Sequence, residues 1–284
     1  MSIQKVKNRI YVDTAYLGSN VSAVATDKGM VLIDTPFLPN EIQQWQKEIT
    51  EATNQEIAYV INTDYHFDHC LGSALLSPNV IAHQLSYQEM TKPDGTMRDY
   101  FMTIFPDITP DVKQQIHEMP LAMPQYSFSD RMWLRLGDAT FELIHVGGHT
   151  DATIIIYLVE DKVLFTGDAA ETNQHPYKGR ANFRQWIEAL KRIQDIDFDV
   201  MVPGHGEVSD KAEAVRMLVY FEQLWDEVSR LHKEGRSKEE VVDLVYDILF
   251  NYYPSEPGME ARTKMMFDEG TARMFDEVSA ISIA

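Results

Sequence analysis

The segment Asp64-Tyr65-His66-Phe67-Asp68-His69 places four side chains able to bind a metal within six residues, directly behind the apolar run Ile57–Ile61. Histidine and aspartate at this spacing suit a borderline-hard divalent ion such as zinc. The stretch Ile57–Thr63 reads as a buried strand, so the segment falls at a strand's C-terminal end, where open α/β sheets place their sites. No other feature constrains the fold as strongly.

The rest of the chain alternates strand and helix patterns. Arg9–Thr14, Asn20–Thr26 and Met30–Thr35 have the β-branched content of strands, with a turn at Asp27-Lys28-Gly29. Pro39–Thr53 reads as a helix, because Ile42, Trp45 and Ile49 recur three and four apart. A short helix over about Cys70–Leu76 and a strand at Val80–His83 are expected next. Residues 86–125 lack a clean period, and Pro106, Pro110, Pro120 and Pro124 interrupt any long element. This stretch reads as a partly helical excursion over the site. Strands resume at Met132–Leu136, Thr140–Val146, Thr153–Val159 and Val163–Thr166, before a helix near Phe183–Gln194 and a strand at Asp199–Val202. Beyond Gly206 the pattern is helical: Lys211–Lys233, Lys238–Phe250 and a weaker Glu260–Val278. The stripe of Met217, Phe221, Leu224, Val228 and Leu231 is a packing face, for this chain, a twin subunit or both.

Three later strands are also followed by ligand-type residues. His149 lies in His145-Val-Gly-Gly-His149-Thr150, Asp168 in Leu164-Phe-Thr-Gly-Asp168, and His205 in Val202-Pro-Gly-His205-Gly206. With Gly18-Ser-Asn20 and Leu32-Ile-Asp34-Thr35, these motifs follow the order of the metallo-β-lactamase superfamily, which the chain resembles over about residues 5–210. One departure stands out: Asp64 occupies the first histidine of the family's His-x-His-x-Asp-His signature.

The resemblance implies an α/β (α+β) chain. A four-layer αββα sandwich would span residues 1–210, with 86–125 as a lid-like excursion. Residues 211–284 would form a C-terminal helical extension packed on the sandwich or on a partner subunit. It also implies two divalent metal ions, zinc first, with manganese or iron open. Carried over residue by residue, His66 and His149 would hold one ion with Asp64 in the substituted slot. Asp68, His69 and His205 would hold the other, and Asp168 would bridge them. Asp68 and Asp168 would serve catalysis, in which a metal-bound hydroxide attacks a carbonyl or phosphoryl centre. Asp34 would support the site through hydrogen bonds, and His145 is a lesser candidate for such a role. His83, His117, His175 and His232 read as surface or satisfied core residues, and Cys70 as a small buried one.

Asp64 changes the charge balance. A family site with two divalent ions, two carboxylates and a hydroxide is left near roughly +1, and an ionised, ligating Asp64 brings it to about zero. Such a site would be a weaker Lewis acid, less attractive to anions and better suited to harder ions. If Asp64 falls short, His66 and His149 remain with the bridge and one metal only is expected. Loss of catalysis would leave a metal-binding sensor or scaffold.

Composition narrows the classes further. At 284 residues, with 44% hydrophobic and 24% charged residues, the chain has an ordinary globular make-up. It lacks an apolar run of the roughly 20 residues a membrane span needs. The N-terminus shows no apolar signal region, and Cys70 is the single cysteine, which fits a reducing compartment. A cytoplasmic protein without membrane partners is expected. The net charge of −19 argues against nucleic acid, whose binding needs a basic track. Tyr65 and Phe67 are expected to flank the metals and touch substrate. Tyr100, Phe101, Met102 and Phe105 would form an apolar lid or simply pack the excursion down. Lys178 and Arg180 read as solvated surface or as partners of a substrate carboxylate. The leading reading is hydrolysis of a small, partly apolar ester, thioester, lactone or lactam, with promiscuous β-lactam cleavage open. A di-iron redox or oxygen-handling protein is the alternative, and a homodimer through the C-terminal helices is plausible.

Overall fold

A computed structural model describes residues 3–77, 79–92, 102–103, 105, 107–255 and 258–283. Period-two alternation sorts its strand side chains onto two faces. Val31 and Ile33 join one core cluster while Met30 and Leu32 join another. In the second half, Ile154, Ile156 and Leu158 face inward with Val31, while Ile155 turns outward with Leu164. Strands apolar on both faces need cover on both, and the chain supplies it with two sheets between outer helices.

The first sheet has seven strands in sequence order: β1 (Gln4–Lys7), β2 (Ile10–Asp13), β3 (Val21–Thr26), β4 (Gly29–Ile33), β5 (Ile57–Ile61), β6 (Val80–His83) and β7 (Tyr126–Phe128). It is antiparallel through β4 and parallel from β4 to β7. The second sheet comprises β8 (Arg131–Leu136), β9 (Ala139–His145), β10 (Ile154–Leu158), β11 (Val163–Gly167) and β12 (Val200–Pro203), ordered β12-β11-β10-β9-β8. Only β11 and β12 run parallel there. A shared inner cluster that includes Ile10, Val24, Phe141 and Phe165 joins the sheets.

Helix α1 (Pro39–Thr53) covers the first sheet with Ile42, Trp45 and Ile49. Pro39 sets its start, and Asn54, at φ 53°, closes its end. The single short helix expected at 70–76 is instead two, α2 (Phe67–Cys70) and α3 (Ser73–Leu76), so the metal-type segment itself begins to wind. Within the excursion, α4 (Gln84–Met90) and α5 (Pro110–Glu118) are helical. Met102 and Phe105 are buried in the cluster beneath α1; Tyr100, Phe101 and Pro106 lie outside the described residues.

Helix α6 (Phe183–Asp195) covers the second sheet, its N-terminus capped by the Asn182 side chain accepting from Gln185 N–H at 2.9 Å. The helical extension is α7 (Lys211–Lys233), α8 (Lys238–Leu249) and α9 (Glu260–Ile283). Asp210 caps α7, and Ser237 with Glu240 forms a capping box on α8. All five residues of the α7 stripe are buried in the cluster that holds Ile155, Leu164 and Trp186, and Trp186 and Phe221 approach to 4.7 Å between ring centres. That face is spent on this chain. Two sheet-edge strands, β1 and β7, go beyond the sequence reading, and α9 runs five residues past Val278. No described helix is long and apolar enough to cross a membrane.

Candidate metal centre

Each ligand-type residue sits just past a strand end. Asp34 follows β4, the segment 64–69 follows β5, His149 comes after β9, Asp168 directly after β11 and His205 after β12. Local hydrogen bonds lock these loops together. Asn20 Nδ2 donates to the carbonyls of Pro203 at 2.9 Å and Gly206 at 2.7 Å, strapping the His205 loop. Ser19 Oγ donates to the Asp68 carbonyl at 2.6 Å. The Gly18-Ser-Asn20 motif thereby ties the start of the chain to both halves of the site. At Gly204 any Cβ would stand 2.0 Å from Asp168 Oδ1, so only glycine lets the His205 loop close over that carboxylate.

Two groups of donors result: Asp64, His66, His149 and Asp168 in one, Asp68, His69 and His205 in the other. In the first, His149 Nε2 lies 3.0 Å from His66 Nδ1, 3.2 Å from Asp168 Oδ2 and 3.7 Å from Asp64 Oδ2. In the second, His205 Nε2 lies 3.4 Å from Asp68 Oδ2, and His69 Nε2 lies 3.9 Å from the same oxygen. Asp168 turns its other oxygen, Oδ1, to this group, 3.3 Å from His69 Nε2 and 3.5 Å from His205 Nε2. One carboxylate thus faces both groups.

The donor chemistry fits metal ions. Four donors about 2.1 Å from one tetrahedral ion stand roughly 3.4 Å apart, close to the spacings found. Asp64 Oδ2, His69 Nε2 and Asp168 Oδ1 are buried and have no hydrogen-bond partner. Buried polar atoms are costly to leave unsatisfied, and three at one place point to a cation. Asp64 Oδ1 is occupied otherwise: it accepts the His66 N–H at 2.7 Å, leaving Oδ2 directed at the first group.

Asp34 sits behind the donor groups. Its Oδ2 lies 2.8 Å from His69 Nδ1 and accepts from Thr63 Oγ1 at 2.7 Å, while Oδ1 accepts from Thr63 N–H at 2.7 Å. This contact fixes His69 with Nε2 toward the donors. Asp34 reaches that pose from φ 57°, a left-handed conformation that aspartate tolerates better than most residues.

Electrostatics divides the histidines. Burial pushes His66 and His149 down to about 4, so both are neutral, the form that ligates. Burial opposes charge on His69 and His205 too, but carboxylates led by Asp168 outweigh it and raise both. Burial alone would raise Asp68, yet His69 and His205 hold it down at about 2. Burial lifts Asp64 to about 6, against the pull of His69 and His149.

A cavity of about 360 Å³ opens over these groups, with His66, Asp68, Asp168 and His205 on its lining. Phe67 is on the lining; Tyr65 is not, being buried against the His66 ring and under the Arg180 guanidinium. Arg180 reaches the cavity and pairs with Glu89 at 2.8 Å. Lys178 corrects the sequence reading, because it is fully buried, donating to the Pro176 carbonyl at 3.2 Å beside the rings of Tyr220 and Phe267. His145 stacks on His83 at 3.8 Å, its Nε2 lying 2.8 Å from the Asp151 carbonyl, so it supports no ligand by these contacts. His83 and His175 are buried and hydrogen-bonded, His117 is exposed, and His232 packs on Phe275. Cys70 is buried, its thiol pushed up by burial. The sequence reading missed Glu171 and Arg262 as lining residues. No motif marks either; Arg262 belongs to a helix whose amphipathic pattern is weak.

The family model for the metallo-beta-lactamase superfamily matches residues 15–205. The chain belongs to that superfamily of metallohydrolases. Among its relatives is Beta-lactamase-like protein 2 homolog of Caenorhabditis elegans, 23% identical over 248 residues, covering 84% of this chain and 72% of that protein. Metallo-beta-lactamase type 2 of Elizabethkingia meningoseptica is 23% identical over 224 residues, 74% of this chain and 81% of that one. Atrochrysone carboxyl ACP thioesterase of Aspergillus fumigatus is 25% identical over 67% of this chain, which spans only 38% of that protein's length. In fold, the metallo-beta-lactamase from Pontibacter korlensis superposes with a TM-score of 0.64 at 20% identity, over 78% of this chain and 98% of that one.

Proposed function

We propose that this chain is a two-metal hydrolase of small, partly apolar acyl compounds: esters, thioesters, lactones or lactams. The observation that carries the reading is Asp168, whose two oxygens face two separate donor groups at the floor of one cavity. His66, His149 and Asp64 would hold one ion, Asp68, His69 and His205 the other, with Asp168 shared. When bound, such a pair supplies Lewis acidity and lowers the pKa of a coordinated water toward neutrality. The chain's own part is to place and protect. Asp34 orients His69, Asp68 would orient the attacking oxygen through its carboxylate, and Phe67 and Phe105 would give an acyl group an apolar surface on the cavity lining. Relatives named as a β-lactamase and a thioesterase agree with acyl transfer to water. The sandwich to residue 210 would form the catalytic unit and the later helices its cover. The single buried Cys70 suits a reducing, cytoplasmic setting.

A panel of aryl esters, acyl thioesters, lactones and a chromogenic β-lactam tests the reading, with Asp168→Ala as control. Turnover of at least one class by wild-type protein, reduced by about 10²-fold or more in the variant, is expected. Metal-bound protein that cleaves none of them would contradict hydrolysis and favour a sensor or scaffold.

Asp64 favours one second reading. Each group holds two histidines and one carboxylate of its own beside Asp168, a hard donor set that suits manganese or iron as well as zinc. A di-iron redox protein would purify coloured, with iron near two per chain by roughly stoichiometric uptake. Colourless, zinc-loaded, hydrolytic protein excludes it.

A further inference from the structure

One wall of the cavity comes from outside the family match. That match ends at residue 205, whereas Met259, Arg262, Thr263 and Met266 line the cavity from α9 and the residue preceding it. Thr263 N–H donates to the Met259 carbonyl at 2.9 Å, so helical winding already includes Met259. The spacing of these four residues places them on one helical face.

The wall is held rigidly. At Gly270 a Cβ would stand 2.3 Å from the Lys178 side chain, so α9 lies directly on the loop that follows Asp168. Arg273 Nε donates to the Ala181 carbonyl, and the Glu277 carboxylate accepts from Phe183 N–H at 2.8 Å and Arg184 N–H at 3.1 Å. Helix α9 thereby caps α6 and closes the cavity in one stroke.

Arg262 brings a charge onto a face it shares with Met259, Thr263 and Met266. Its guanidinium stands 5.1 Å from the centre of the Phe105 ring, and Met259 and Met266 flank it on the helix. Five donors in a fixed fork allow it to take a carboxylate while keeping protein contacts. Arg180 also lines the cavity and pairs with Glu89. Three carboxylates among the metal-type donors leave the centre itself little attraction for an anion, so an anionic group on the substrate needs a partner elsewhere on the lining.

We propose that α9 is the substrate-selecting wall and that Arg262 holds a carboxylate carried on the apolar arm of the acyl group. The substrate class is a half-ester or half-thioester of a small dicarboxylic acid. The identity of the cleaved bond rests on the hydrolytic reading above; the carboxylate contact does not.

The test compares glutaryl thiophenyl ester with its uncharged counterpart of the same shape, 5-methylhexanoyl thiophenyl ester. Wild-type protein is expected to favour the glutaryl ester in kcat/KM. Arg262→Met should lower the anionic-to-neutral ratio by about tenfold to a hundredfold, the range for a lost charge-assisted hydrogen bond, and Arg262→Lys should keep an intermediate ratio. Absence of a wild-type preference, or an unchanged ratio in Arg262→Met, overturns the proposal. If Arg262→Met fails to fold, the wild-type ratio and Arg262→Lys decide. If neither ester is cleaved, calorimetry with glutaric acid monoanilide and 5-methylhexananilide reads the same contact. Preferential binding of the acid, reduced in Arg262→Lys and Arg262→Met, supports the wall and counts against hydrolysis alone; equal or absent binding overturns the wall.

Discussion

The carboxylate of Asp64 divides its two oxygens between fold and chemistry. Oδ1 holds the His66 backbone, and Oδ2 stands 3.5 Å from His66 Nδ1 and 3.7 Å from His149 Nε2. Its Oδ2 therefore stands near both histidines, as the proposed shared ion requires. Asp34 offers a test one contact further out. Asp34→Asn should weaken binding at the His69 group by about tenfold to a hundredfold, the usual effect of losing a partner behind a ligand. Chelator competition would read this, and unchanged affinity would remove Asp34 from the site. Lys178 makes a separate expectation at the same scale. Burial brings it down to about 7, so the folded chain binds fewer protons there than the unfolded one between about pH 7 and 10.5. Its contribution to stability therefore rises with pH through that window, and the full cost of burial is present below it. Lys178→Met should exceed wild type by about 1–4 kcal/mol at pH 6 and by less at pH 9. Comparison at each pH is needed because Glu171, raised to about 8 by burial, slopes the other way between about 4.5 and 8. Equal gains at both pH values would contradict the assignment. The donor-type residues are legible because each sits in a short motif behind an apolar run. Lys178 is not, since its burial is made by Gly270 on a distant helix.

Among the elements, α6 and α7 carry the junction between the second sheet and the helical extension. Phe221 is fully buried there against Trp186 and Phe183. Phe221→Ala should cost about 3–5 kcal/mol through lost burial and the cavity left behind, read as a lower midpoint in chemical denaturation. A cost below about 1 kcal/mol would mean that the extension packs loosely. The helices most legible in sequence had marked ends: α1 and α7 were expected at Pro39–Thr53 and Lys211–Lys233 and lie there. Pro39, Asn54 and Asp210 supply the marks. The strands that escaped notice, β1 and β7, are edge strands of four and three residues, too short to show alternation and half-exposed. The division of 67–76 into two short helices also escaped, because one turn of helix leaves no period to read.

Across the whole molecule, two sheets converge their strand ends so that residues from Asp64 to His205 meet around Asp168. The order of those motifs makes the sandwich legible in the sequence and marks its donor-type residues. The cavity wall is not, because Met259, Arg262 and Met266 acquire their role only when α9 folds back over the loop after Asp168. Two-metal hydrolysis requires Asp64 to complete a pair of metal positions. Metal content after loading with zinc or manganese and desalting, measured for wild type and Asp64→Ala, tests this directly. Two ions per chain in wild type and about one in the variant are expected from the donor count of each group. A wild-type value of one that added metal does not change, or two ions retained without Asp64, would contradict it.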